Sequence, residues 1–437
     1  MALGGGTFIT QNKVLPGSYI NFISAAAASA TLSDRGVATM PLEMDWGAEG
    51  SVFTVTQEDF LKNSMKFFGY SYSDAKMKGL RDLFKGVKTL YGYRLNTGGE
   101  KATCTFATAK YAGIRGNDLK IVIKANVEDA TKFDCYTYLG DTAVDLQQGV
   151  GSASDLVDND YVDFKQDATI VVTAATPLTG GTNGTVSGSA YQNYLDRIEG
   201  YRYNIMGVVT TEATVKALCV AFQKRMREDV GVKFQLVLHN YPAADYFGVI
   251  SVKNNTSDSG WSVASLVYWT TGAEAACAVN RSLQNKKYDG EFTVDVDFSQ
   301  SELIAAIQAG EFTFHNVNGD VRVLDDINTM LTTTDTQGDI FKDNQCIRVI
   351  DQIGNDIAVL FADKYLGVVP NDQAGRISLW SDIVKHHEQL QEIRAIENFD
   401  PNDVVVEQGD TKKAVTVQDA ITYVGAMSKL YMTTVVA

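Results

Sequence analysis

The sequence is poor in the residues that chemistry most often needs. It has four histidines, His239, His315, His386 and His387, and none stands in a local signature that would join it to a nucleophile. A nucleophile needs a base within hydrogen-bond reach, and no GxSxG elbow is present. The five cysteines (Cys104, Cys135, Cys219, Cys277, Cys346) are odd in number, widely scattered and without a CxxC pair. That spacing excludes zinc-ribbon and thioredoxin-like sites and leaves reduced, buried thiols as the expectation. No run of about 18 apolar residues exists, so no membrane span is expected. Met1 to Thr10 lacks a basic stretch leading into an apolar one, so a secretory leader is not expected and a cytoplasmic place of synthesis is. Positive charge is also short, with 38 Lys and Arg against 53 Asp and Glu and a net charge of -15. Direct nucleic-acid binding needs concentrated Lys and Arg and is disfavoured.

What is present is ordinary folding material. Hydrophobic residues make up 45% and charged residues 21%, which fits a globular protein and argues against disorder. A chain of 437 residues exceeds what one core organises, so two to four domains are expected. Thr56 with Asp59 reads as a capping box opening a helix to about Phe68, and Ser73-Asp74 opens another to Phe84. Val87–Leu95 then reads as a strand.

From about 97 to 180 the composition turns to Thr, Val, Gly and Asp. Leu119–Lys124, Phe133–Leu139 and Ala168–Thr173 read as strands, with a hairpin turn at Gly140-Asp141. Beyond about 201, strands and helices alternate. Asn204–Val209, Val232–Leu238, Tyr246–Val252 and Phe292–Phe298 read as strands, and Phe312–Val317 with Val321–Val323 follows. Between them lie helices from Glu212, from about Ser262 to Asn280, and from the capping box Ser299/Glu302. This rhythm predicts an α/β layer with a mostly parallel sheet. Two long amphipathic helices, about Asp343–Tyr365 and Arg376–Ile396, precede a hairpin around Gly409-Asp410.

Three motifs invite a chemical reading and fail it. Pro177–Gly184 (PLTGGTNG) lacks the GK[ST] ending of a phosphate loop and reads as an exit linker. Lys385-His386-His387-Glu388 is not HExxH, and neighbouring helix residues point about 100° apart. His387 falls on the apolar stripe and is expected to pack, while His386 falls nearer the polar face with Lys385. Asp295 and Asp297 alternate with Val294 and Val296, as on the wet face of an edge strand. His239 ends a strand, where α/β proteins place functional groups, but a capped polar strand end explains it. No catalytic residue, cofactor or metal site is expected.

The two ends of the sequence are apolar and β-prone. Phe8, Ile9, Val14, Tyr19, Ile20 and Phe22 flank Pro16-Gly17, with Gly4, Gly5 and Gly6 before them; Leu430, Tyr431, Met432, Val435 and Val436 follow Lys429 without another charge. Such strands are aggregation hazards unless paired. They either complete a sheet in their own chain or are lent to neighbouring copies. Lending that is not mutual produces a helical array.

One family shares these ends and much between them. The segments are Gly4-Gly5-Gly6-Thr7-Phe8, Pro16-Gly17-Ser18-Tyr19-Ile20-Asn21-Phe22, Arg35-Gly36, Met40-Pro41-Leu42, Asp45-Trp46-Gly47 and Lys110 to Asp118 (KYAGIRGND). They continue with Pro177 to Thr182, Tyr268-Trp269, Gly272-Ala273-Glu274-Ala275, Val317-Asn318-Gly319, Arg348-Val349-Ile350-Asp351, Pro370-Asn371-Asp372 and Lys429-Leu430-Tyr431-Met432. In this order, over nearly the whole length, the chain resembles the contractile-tail sheath proteins of phages and bacteriocins of Gram-positive bacteria.

The resemblance implies a multidomain α+β and α/β fold: an N-terminal donated arm (1–22), the first part of the core (23–96), an inserted β-sandwich-like domain (97–184), an α/β core of subtilisin-like topology (185–340) and a tube-facing C-terminal domain (341–437) whose last strand, about 429–437, is donated. It implies a structural subunit, not an enzyme, forming a helical homo-oligomer of six-fold rings around an inner tail tube, with baseplate and tail-terminator partners. The glycines at 4–6 and Pro16-Gly17 would serve as hinges, and Lys385 and His386 as the contact with the tube. Contraction from an extended metastable state would drive the tube through a cell envelope. The assembly would form in the host cytoplasm and travel in the released particle. Another self-assembling coat, such as a capsid subunit, is the competing class, and a soluble α/β enzyme lacks its catalytic constellation.

Overall fold

A computed structural model describes residues 32–436. The described residues divide into two compact units, 34–354 with 423–436, and 32–33 with 355–422.

In the larger unit the chain first forms β1 (Val37–Leu42), β2 (Val52–Thr56), α1 (Gln57–Phe68), α2 (Lys78–Phe84) and β3 (Thr89–Arg94). Thr56 and Asp59 make the expected reciprocal cap on α1, and Gly69 closes it with φ 77°, a backbone state that suits glycine. The inserted segment follows: β4 (Ala107–Ala109), β5 (Leu119–Ala125), β6 (Phe133–Leu139), β7 (Thr142–Val150), β8 (Val162–Phe164) and β9 (Thr173–Pro177). Then come α3 (Ala190–Ile198), β10 (Ile205–Gly207), α4 (Ala213–Arg225), β11 (Gln235–His239), β12 (Val249–Val252), α5 (Leu266–Ala276), α6 (Gln300–Gln308), β13 (Glu311–Phe312), β14 (Phe314–Val317) and β15 (Asp320–Val323).

The main sheet runs β13-β12-β11-β10-β1-β3-β2. Its neighbours are parallel except β2, which lies antiparallel to β3. Strand order reverses beside β1, so the sheet is doubly wound and both faces are covered. On one face Met40, Ile205, Val237 and Ile250 pack with α2 and α5 through Leu83, Phe84, Leu266 and Trp269. On the other, Met206, Leu236, Leu238 and Val249 pack with α3 and α4 through Tyr194, Ile198, Cys219 and Phe222. The alternation of side chains along each strand assigns these faces. Helices α2 and α5 touch closely because Gly272 has no side chain; a Cβ there would stand 2.3 Å from the Leu83 carbonyl oxygen.

The insert forms a four-stranded antiparallel sheet, β7-β6-β5-β9, and a two-stranded one, β4-β8. The β6–β7 turn is Gly140-Asp141, between the paired Leu139 and Thr142. Trp46, fully buried, packs edge-on to Tyr111 with ring centroids 5.2 Å apart. Beside it Asp45 accepts hydrogen bonds from Tyr70 Oη (2.7 Å) and Asn183 Nδ2 (2.8 Å). The Gly-rich linker is thus a clasp: Gly181 exchanges two 2.8 Å hydrogen bonds with the Asn117 amide. A Cβ on Gly184 would lie 2.0 Å from the Thr97 carbonyl oxygen, so chain entry and exit run side by side.

Two expected strands are corrected. Ala168–Thr173 forms none, and the ladder with β5 begins only at Thr173. Phe292–Phe298 alternates buried Phe292 and Val294 with exposed Thr293, Asp295 and Asp297. It nevertheless makes only the isolated pairing Thr256 to Val294. Asp295 and Asp297 therefore lie on a solvated irregular segment.

The unit boundary falls inside α7 (Asn344–Leu360). The smaller unit contains the end of α7, a π turn at Phe361–Tyr365, α8 (Gln373–Glu392) and the hairpin Val405–Gln408 with Val415–Gln418. Asp372 caps α8 by accepting from the Gly375 amide at 2.8 Å. Leu360, Tyr365, Leu379, Ile383, Val384 and Val404 form its core.

Candidate assembly site

The C-terminal segment is anchored at its root and bare beyond it. Gln345, buried near the start of α7, holds it by both ends of one side-chain amide: Nε2 donates to the Val424 carbonyl at 2.7 Å, and Oε1 accepts from the Ala426 amide at 3.0 Å. Tyr423 Oη donates to Asp343 at 3.3 Å. From there Leu430, Tyr431, Met432, Val435 and Val436 are between 77% and 89% exposed. Among the described residues Val424–Val436 form no strand. Surface apolar residues are common singly, but a contiguous exposed run of this kind marks a contact surface.

The hairpin of the smaller unit shows open edges. Its sheet has two strands among the described residues. Val406 and Val415 pack towards the core, where Trp380 Nε1 donates to the Val404 carbonyl at 3.0 Å. Glu407, Thr416 and Gln418 on the other face are exposed. Asn371 Nδ2 steadies the hairpin by donating to the carbonyls of Lys412 (3.0 Å) and Ala414 (2.8 Å). Each strand still carries a row of backbone groups with no third strand, the ordinary template for strand addition.

On α8, Lys385 is exposed but His386 and His387 are buried, at 1% and 0% exposure. The placement of His386 on the polar face is therefore corrected: its Nε2 faces the Asp356 carboxylate of α7 at 3.0 Å. A helical wheel misses this because Asp356 and Asp419 arrive from distant positions and make a polar interior for both rings. The N-terminal residues Phe8, Ile9, Val14, Tyr19, Ile20 and Phe22, with Gly4, Gly5, Gly6, Pro16 and Gly17, lie outside the described residues.

Among the described residues no group of three or more His, Cys, Asp or Glu is placed to hold a metal ion, and no helix is long and apolar enough to cross a membrane. All five cysteines are free, and all but Cys104 are buried. His239 ends β11, is buried, and faces Asn255 Oδ1 at 3.0 Å. The strongest electrostatic feature is structural. Arg348 of α7, fully buried, donates to Glu274 of α5 and to Asp326, both at 2.6 Å. Burial and the neighbouring Asp326 charge push Glu274 up to about 8. Asp326 is drawn up by burial but held below the usual carboxylate range by Arg348. Arg348 thus bridges Asp326 and Glu274, with Asp326 shifted towards its charged form and Glu274 towards its protonated one. Burial also pushes the Cys346 thiol up to about 12, far from a reactive thiolate.

Family models match four consecutive stretches: the Tail sheath protein Gp18 domain III N-terminal region at 35–95, the phage tail sheath protein beta-sandwich domain at 97–183, the phage tail sheath protein central domain at 184–329, and the phage tail sheath C-terminal domain at 336–437. The phage-like element PBSX protein XkdK of Bacillus subtilis (strain 168) is 30% identical over 465 residues, covering 98% of this chain and 99% of that one. The chain belongs to the phage tail sheath family.

A solved sheath tail protein from Desulfitobacterium hafniense agrees with this sheath chain at 37% identity and a TM-score of 0.81, over 95% of this chain and 99% of that one. The helical sheath of the anti-feeding prophage, solved in its contracted state, shares the fold at 13% identity and a TM-score of 0.57, over 97% and 99% of the two chains. The sheath family accounts for the mixed α/β, multidomain architecture.

Proposed function

We propose that this sheath protein is a non-enzymatic structural subunit that polymerises helically around an inner tube by exchanging terminal strands, and that its lattice contracts to drive the tube through a target envelope. The observation that carries the reading is the pairing of supply and demand on one chain: an anchored, exposed apolar segment and an open-edged hairpin. A segment of one copy laid on the hairpin of another adds ladder bonds and buries side chains. Repetition in one direction builds a filament. The N-terminal residues Phe8 to Phe22 act in the same way, with Gly4–Gly6 and Pro16-Gly17 as their hinges.

Contraction is a rigid-body change between two packings, with the extended lattice held as a kinetic trap. The likeness of fold to a sheath solved in the contracted state supports it. In this reading the insert (97–184) lies outermost, the doubly wound core follows a subtilisin-like topology, and the C-terminal domain faces the tube through Lys385. Rings are six-fold, and the tail tube, baseplate and terminator are the other partners. Assembly takes place in the host cytoplasm, and the product belongs to a phage-derived particle.

Electron microscopy of the negatively stained, purified chain tests the reading. Straight striated tubes or stacked rings are expected. Closed shells would favour a capsid-like coat, and monodisperse particles at high concentration would refute polymerisation.

A further inference from the structure

The smaller unit contains a chain of titratable groups that strand exchange does not use, buried at Asp356, His386 and His387 and open to solvent at Asp419. His386 Nε2 stands 3.0 Å from Asp356 Oδ2, His386 Nδ1 stands 3.3 Å from His387 Nδ1, and His387 Nε2 stands 2.7 Å from Asp419 Oδ2. Asp356 also accepts from the Ser33 amide (3.2 Å) and hydroxyl (2.5 Å). The Phe399 ring lies 5.1 Å from His387. Asp356 from α7 and Asp419 from beyond the hairpin are the charged groups bonded to the rings; Lys385 and Glu388, their neighbours on α8, are exposed.

Proton counting follows from the contacts. Each carboxylate accepts, so each Nε2 carries a hydrogen. Between two facing Nδ1 atoms only one hydrogen fits. In this arrangement the pair of rings accommodates at most three N–H hydrogens on its four nitrogens. A fourth would set N–H against N–H across the 3.3 Å gap between the two buried rings. One ring must then leave. The Asp356 side chain is 6% exposed and the Asp419 side chain 24%, so the Asp419 end rehydrates at lower cost and gives way first. Asp419 directly follows the hairpin strand Val415–Gln418.

We propose that His386 and His387 form a proton-counting latch, sharing one hydrogen between their Nδ1 atoms to hold Asp419, and with it the second hairpin strand, on α8, and releasing it when a second imidazolium forms. The count stands on the geometry alone; only its consequence for assembly rests on the hairpin as an acceptor of strands. Acidification therefore loosens the hairpin in the lone subunit, whatever the neighbours do.

The test uses the full chain, whose four histidines suit selective ¹⁵N labelling. Across a titration from about pH 9 to pH 5, two of the histidines should titrate as one coupled pair with a plateau at three N–H hydrogens. Two independent one-proton curves would overturn the proposal. Hydrogen exchange supplies the second readout. Protection of 415–421 should fall about tenfold or more on acidification, the scale of one charge-assisted hydrogen bond, with the Ser33 amide less affected. In His387→Gln, which removes the shared hydrogen, the fall should lose its pH dependence. Identical curves for variant and wild type would refute the latch, and if the variant does not fold the wild-type titration decides alone.

Discussion

Deleting residues 430–437 should leave the subunit folded and abolish its polymer. In the lone chain the five large side chains of this segment are at least 77% exposed, so their removal changes folding stability by no more than about 0.5 kcal/mol, or under about 2 °C in Tm. On a neighbour the same segment behaves differently. Burying five such side chains returns about 8–15 kcal/mol at about 1.5–3 each. About six ladder bonds at 0.5–1.5 each add about 3–9 kcal/mol. Ordering seven residues costs about 7–14 kcal/mol. At the midpoints of these ranges the balance favours contact by about 7 kcal/mol, or roughly five decades in the concentration needed for assembly. Sedimentation of the truncated chain against wild type reads the polymer, and thermal melting reads the fold. A truncated chain that pellets at the wild-type concentration, or that melts several degrees lower, refutes the reasoning.

Three further outcomes follow from named contacts. Gln345→Ala removes both hydrogen bonds at the root of the segment; exchange at 424–426 should quicken by about tenfold or more, with the helical content unchanged. Arg348→Met strands Asp326, which is 2% exposed, and should cost about 3–5 kcal/mol in urea unfolding. Glu274 ionises in the folded chain only near about 8, against about 4.3 when unfolded. The folded state therefore binds the extra proton between those values, and stability from this group is full below the unfolded value and declines as pH rises through the window. Glu274→Gln should flatten that slope; an unchanged slope would place the proton elsewhere.

Local chemistry was legible where the signal and its structural partner sit within one turn. The capping boxes at Thr56/Asp59 and Ser299/Glu302 form as read, and so does the turn at Gly140-Asp141. These need only three or four residues to agree. The strand expected at Phe292–Phe298 failed because alternation reports burial on one side, not pairing: Phe292 and Val294 are buried without a ladder. The Arg348 cluster was out of reach for another reason. Its members lie 74 and 22 residues apart in sequence, and no periodicity marks a charge whose partner comes from another element. The same distance hid Asp356 and Asp419 from the reading of His386.

The C-terminal segment shows what a pattern can and cannot say. An apolar, uncharged run fixes that a strand must be covered, since bare edges and side chains are costly in water, but it carries no address for the cover. The exposed edges among the described residues include β2, five residues long, and β7 of the insert, nine residues long, so length alone does not supply it. The hairpin strands are four residues each, open along both sides among the described residues. Among the described residues Val424–Val436 form no ladder, and the hairpin of another copy is the acceptor proposed for them. In that exchange a segment held by Gln345 at its base and bare to its tip reaches its acceptor while its own subunit stays folded.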